Sequence, residues 1–224
     1  PFEDTDLAEM KGKVKSLDIA VQAEGFVLKT RAITATFKEE RQRLLRLAIM
    51  SFDSALESNP CNVVTLYNLA DCLALLGDTD RAQECYQKAL VLNQFDPVAL
   101  FKYACFKEQK RDEEGANRYY EKALRAFPGY TTCHVVYADF LAFYAKRPDM
   151  AERHYQKALE HDGKHPAALN NYAVFLYAVR NDVERAAKVF QRLRAITDLP
   201  EELAHNYAAF LTHLQTCATL KQIQ

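Results

Sequence analysis

An all-α solenoid of antiparallel helix pairs is the fold class that this sequence predicts, and three observations predict it. The first is a five-fold echo at spacings of 34 or 35 residues: Ala48-x3-Phe52, Ala82-x3-Tyr86, Ala116-x3-Tyr120, Ala151-x3-Tyr155 and Ala186-x3-Phe190. A period of that size marks a helical hairpin that buries its apolar face only by stacking on its neighbours. The second is a companion echo upstream, Leu69-Ala70, Tyr103-Ala104, Tyr137-Ala138, Tyr172-Ala173 and Tyr207-Ala208. Large beside small suits two closely packed helices, because Ala lets the opposing backbone approach while the large side chain fills the adjoining gap. The third is that no segment alternates apolar and polar residues with the two-residue period of a strand.

Each element follows in order. Leu7, Met10, Val14, Leu17 and Val21 stand at steps of three and four and form a helical stripe despite Gly12 in its interior. A second stripe is expected through Phe26, Ile33 and Phe37, and a third through Leu44, Leu45, Ala48, Phe52 and Ala55. Residues 1–28 read as a helical extension capping the end of the stack, where a solenoid otherwise exposes an apolar face. A docking helix for a partner is the alternative use of this segment. Helix pairs follow at 29–62, 63–96, 97–130, 131–165 and 166–200, and residues 201–224 form a partial sixth unit or a C-terminal capping helix. Pro97, Pro166 and Pro200 stand where first helices begin, a position that needs no backbone donor. Asp78, Asp112 and Asp182 precede second helices, where a side-chain acceptor caps free amides, and Gly77 permits the tight turn ahead of Asp78. The chain begins at Pro1 and ends within a helical pattern, so a piece of a longer protein is expected.

These positions resemble the tetratricopeptide repeat family, whose unit carries a large-small pair in its first helix, then Ala, an aromatic, another Ala and a closing Pro. Residues 63–96 match best, through Leu66, Asn68, Leu69, Ala70, Gly77, Asp78, Ala82, Tyr86, Ala89 and Leu90, with Gln94 in place of the Pro. Residues 97–130 match through Tyr103, Ala104, Ala116, Tyr120, Ala123, Leu124 and Pro128. The units at 131–165 and 166–200 each carry one extra residue between their helices, and the unit at 29–62 lacks the large-small pair. The resemblance implies a right-handed superhelix whose first helices line a concave groove for extended peptides or partner helices.

Composition excludes little but directs attention. With 29 basic against 30 acidic residues there is no basic footprint for nucleic acid, which is not an expected partner, and no apolar run is long enough to span a bilayer. The six cysteines form no CxxC pair, so reduced thiols and an intracellular, cytoplasmic location are expected. No Gly-rich phosphate loop, GxSxG or HExxH occurs, and the chain reads as a non-catalytic protein with no cofactor and no metal. His154, His161 and His165 lie near the Asp162-Gly163 turn and are expected to be solvated there.

The repeat register assigns Ala48, Phe52, Ala82, Tyr86, Ala116, Tyr120, Ala151, Tyr155, Ala186 and Phe190 to packing. Truncating one of the aromatics should cost about 3–5 kcal/mol. Carried over by the same register, the family's groove positions are Tyr67, Asn68, Asp71 and Leu75, then Phe101, Lys102, Cys105 and Gln109. They continue through Val135, Val136, Asp139 and Phe143, then Asn170, Asn171, Val174 and Tyr177, and end at His205, Asn206 and His213. Asn68, Asn171 and Asn206 recur at one position, where an amide can bond a ligand backbone or, equally, a neighbouring turn. One subclass of the family clamps the carboxylate terminus of chaperones with Lys, Asn and Arg residues of three successive units; Asn68 and Lys102 match two of those positions, but Ile33, Phe37 and Val98 stand where the others should be polar or basic. The expected function is an interaction scaffold that binds a protein or peptide in the groove. A scaffold of the half-repeat kind found in RNA-processing complexes is the alternative. Leu203, Tyr207, Phe210, Leu211 and Leu214 are a candidate face for self-association.

Overall fold

The computed structural model describes residues 4–196, 203, 206 and 208–212, with side chains from residue 19 onward. All the described regular structure is helical, and it falls into two compact units, residues 1–126 and 127–224. The first unit holds α1 (Asp4–Thr34), α2 (Lys38–Ser58), α3 (Val63–Leu76), α4 (Thr79–Leu92), α5 (Pro97–Gln109) and α6 (Glu113–Ala126). The second holds α7 (Thr131–Asp139), prolonged by a π-helical stretch at Phe140–Tyr144, then α8 (Pro148–His161), α9 (Pro166–Ala178) and α10 (Val183–Arg194). Within each unit the helices pack mainly as successive pairs, α1 with α2, α3 with α4, α5 with α6, α7 with α8 and α9 with α10.

Capping follows the residues that the local chemistry selects. Asp78, Asp112 and Asp182 accept from the amides of Arg81, Gly115 and Arg185, and Asp96 caps α5 ahead of Pro97. The repeating Ala and aromatic residues from Ala48 to Phe190 are all buried. Small Ala and large ring alternate where facing helices meet, which fills the space between them at close-packed density.

Helix α1 departs from the stripe expected in sequence. It runs unbroken through residue 28, and its buried face is Gly25, Lys29 and Ala32, whereas Ile33 is 59% and Phe37 74% exposed. The reason is the approach of α2. A Cβ on Gly25 would lie 2.6 Å from the Phe52 ring, so glycine is the residue that lets the two helices meet there.

The extra residues of the fourth and fifth repeats are absorbed at the ends of first helices. In the shorter repeats the backbone amides of Asp78 and Asp112 reach back to the carbonyls of Leu73 and Lys107. The longer repeats reach one residue further, from Arg147 to Leu141 and from Asp182 to Leu176, with Ala145 bonding Phe140 and Arg180 bonding Phe175 in π register. A left-handed residue precedes the second helix each time, at Gly77, Arg111, Lys146 and Asn181. Pairing of the helices therefore survives the insertions.

Candidate functional site

The first unit has an open hollow of about 270 Å³ built from α1, α3, α4 and α5. Of the positions that the register assigned to the groove, Asp71, Leu75, Phe101, Lys102, Cys105 and Gln109 meet there. Tyr67 and Asn68 do not open onto it; both are buried in the packing. Leu75 is 53% exposed and, with Ile33, forms apolar rim, while Phe101 and Cys105 are half-buried. A residue the groove assignment left out, Lys29, lies on the floor of the hollow. Its ammonium donates to Asn68 Oδ1 at 2.8 Å and to Asp71, whose carboxylate also accepts from Lys102 Nζ at 2.5 Å and from the Tyr86 hydroxyl. Burial pushes the Asp71 carboxyl up, but the two ammoniums beside it outweigh that and hold it below the usual carboxylate range. Burial likewise pulls the Lys29 ammonium down against the attraction of Asp71. The sequence signal for Lys29 was available: it stands four residues after Gly25 and three before Ala32 on one helix face. A stripe drawn from apolar residues alone passes over it.

In the second unit the corresponding positions form a chain of side-chain hydrogen bonds. Tyr155 donates its hydroxyl to Asp139, and Asn171 Nδ2 donates to the other carboxylate oxygen at 2.8 Å. Asn170 Nδ2 donates to Asn171 Oδ1 at 3.0 Å, and Asn206 Nδ2 to Asn170 Oδ1 at 3.1 Å. Burial raises the Asp139 carboxyl, against the two hydrogen bonds that favour its ionised form. Asn68 similarly donates to the Val64 carbonyl of its own helix while accepting from Lys29. The recurring amides thus have partners within the chain. Asn170 and Val135 are buried, Val136, Val174 and Tyr177 are half-buried, and Phe143 is 45% exposed. His205, His213, Tyr207 and Leu214 lie outside the described residues. Phe210, on the proposed self-association face, is buried against Tyr177 and Phe190, whereas Leu211 is exposed.

The histidines differ from the solvated turn residues expected. His161 is exposed, but His165 caps α9 by accepting from the Ala168 amide, and His154 is half-buried with its Nδ1 2.9 Å from Nδ1 of the buried His134. The partner that sequence spacing hid is His134, twenty residues away on α7. His134 Nε2 lies 2.9 Å from the Pro128 carbonyl, which accepts only, so Nε2 carries that ring's proton and His154 Nδ1 donates to His134. Burial pulls both rings down, His154 to about 4. Among the described residues, no group of three or more His, Cys, Asp or Glu is placed to hold a metal ion. Cys61, Cys72, Cys85 and Cys105 are free thiols, and burial pushes Cys72 up to about 12 and Cys105 to about 11, away from thiolate chemistry.

Residues 63–96 and residues 141–200 each match a tetratricopeptide repeat model. The antiviral innate immune response effector IFIT1 of Macaca fascicularis is 32% identical over 93 residues, a match covering 39% of this chain and 20% of that protein. The chain thus spans about a fifth of that relative's length. Among solved structures, Pseudomonas aeruginosa pilF superposes with a TM-score of 0.67 at 18% identity, over 91% of this chain and 92% of that one. TTC0263, a thermophilic repeat protein of Thermus thermophilus, gives 0.62 at 21% identity, over 84% and 99%. YrrB, described as having an unusual peptide-binding site, gives 0.54 at 19% identity, over 74% and 84%. At such identities the likeness is one of fold.

Proposed function

Because residues 63–96 and 141–200 are tetratricopeptide repeats, we propose that this protein is a non-catalytic interaction scaffold that holds a peptide or partner helix against the first helices of its repeats. The observation that supports the reading most directly is the hollow of the first unit. Six positions chosen by repeat register alone line it, and its rim exposes Ile33 and Leu75, large apolar groups that packing leaves to solvent. The arrangement suits a helix or an extended segment laid across α1, α3 and α5, with apolar anchors on the rim and polar contacts at the floor. The cytoplasm is the location we propose, on the free thiols at Cys61, Cys72, Cys85 and Cys105.

Selection of peptides from a displayed library against the intact chain tests the reading. Selected peptides should bind the Leu75→Arg variant at least about tenfold more weakly, because a charge replaces an apolar anchor, while its circular dichroism stays that of the parent. Peptides that bind both proteins alike, or a library that yields none, would remove the groove. Retention of fluorescent RNA that weakens steeply with salt would favour the RNA-scaffold alternative instead.

A further inference from the structure

We propose that the outward face of α1 docks a second copy of this chain, the two α1 helices lying antiparallel across a two-fold axis near Val27.

Helix α1 has two faces, and the fold covers one. Gly25, Lys29 and Ala32 are buried where α1 packs on α2 and α3. On the opposite side Ile19, Ala23, Val27, Thr30 and Thr34 follow one another at helical steps of three and four, and all are exposed, Ile19 by 59% and Val27 by 58%. The threonines add little polarity to this strip. The Thr30 hydroxyl donates to the Phe26 carbonyl at 2.9 Å and the Thr34 hydroxyl to the Arg31 carbonyl at 3.1 Å, both within α1. A helix facing water ordinarily carries charges along its outer face, as α4 does with Arg81, Glu84 and Lys88. The α1 strip runs about 22 Å, at 1.5 Å per residue, with no charged residue on its centre line. Such a face is suited to another helix.

The charges beside the strip say which helix. Glu24 and Arg31 are exposed, lie two turns apart on the same flank, and have no ion-pair partner among the described residues. They stand three residues before and four after Val27, so the flank is acidic on one side of its middle and basic on the other. A two-fold axis perpendicular to the helices joins like flanks with their directions reversed. It sets Glu24 of each copy opposite Arg31 of the other, twice over. A parallel pair joins opposite flanks and leaves all four charges unmatched. The patch is thus complementary to itself, and the assembly closes at two copies. Val27 lies at the axis, and the small Ala23 beside it lets the two backbones approach.

Sedimentation velocity on the whole chain tests this. The fraction sedimenting as dimer should grow as concentration rises through the micromolar range. Val27→Arg should raise the dissociation constant at least about tenfold. Glu24→Arg and Arg31→Glu should each do the same, because either change sets like charges against each other at both ends of the contact. An equimolar mixture of those two variants should recover the parent's dimer, and so should the double exchange in one chain. Circular dichroism checks that each variant is folded. Monomer at every concentration would overturn the proposal. A dimer indifferent to Val27→Arg, Glu24→Arg and Arg31→Glu would overturn α1 as the surface, and its loss in Leu211→Arg would assign association to the C-terminal face instead. Weakening by the single charge changes with no recovery in the mixture would overturn the antiparallel arrangement.

Discussion

The hydroxyl of each repeat tyrosine is matched to the residue it reaches on the preceding helix. Tyr86 donates to Asp71, Tyr120 to Cys105 and Glu108, and Tyr155 to Asp139; where Phe190 lacks the hydroxyl, the corresponding position holds Val174. A phenol buried at the helix interface needs an acceptor, and a ring without one needs none. Tyr155→Phe leaves the half-buried Asp139 with one donor fewer, and the reverse change, Phe190→Tyr, adds a hydroxyl where the register position of its acceptor holds Val174. Each should lower stability in urea titrations by about 1–3 kcal/mol, the range for an unsatisfied buried polar group. The aromatic positions were legible in the sequence because they repeat. Their hydroxyl partners were not, since repeat register identifies a position and not what lies across from it.

Turns and close approaches decide the behaviour of whole elements. Gly77 has φ +90° with nothing within 4 Å of a built Cβ, so Gly77→Ala should cost about 1–2 kcal/mol through backbone strain alone. Lys146 occupies the same left-handed region at φ 56° on the surface, and Lys146→Gly should gain about 0.5–1 kcal/mol. Thermal unfolding of the pair measures both signs. Gly25 tests α1 in the opposite sense to propensity: Ala is the better helix former by about 1 kcal/mol, yet Gly25→Ala should lower the melting temperature because its Cβ meets the Phe52 ring. A glycine inside a helical pattern reads in sequence as a weakness. Its use became visible only when α2 was placed against it.

At the scale of the molecule, each unit carries its own buried polar centre, and the two centres respond differently to acid. In the second unit, an unfolded histidine titrates near its ordinary 6.5 while burial holds folded His154 near 4. The unfolded chain therefore takes up protons first as pH falls, so stability from the His134–His154 pair is complete above about pH 6.5 and is lost progressively towards pH 4. In the first unit, Asp71 is depressed instead, and its contribution persists until pH drops below the ordinary carboxylate value of 3.8. Hydrogen exchange read by mass spectrometry should show α7 and α8 losing protection between about pH 6.5 and 4.5 while α3 and α5 keep theirs. His154→Gln should flatten the dependence in α7 and α8. Equal loss in both units would contradict this account.

By itself the sequence determined the repeat: its length, its helix pairs, the caps at Asp78, Asp112 and Asp182, and the residues consumed by packing. It could do so because packing one hairpin on the next imposes the same small and large side chains at the same intervals, and periodicity survives in a linear string. Tertiary structure alone decided which polar groups meet. Lys29 reaches Asp71 across 42 residues, Asn171 reaches Asp139 across 32, and His154 reaches His134 across 20. Burial makes such pairings obligatory, because an unpaired polar group inside the fold is costly. Which partner satisfies the obligation depends on distance in space.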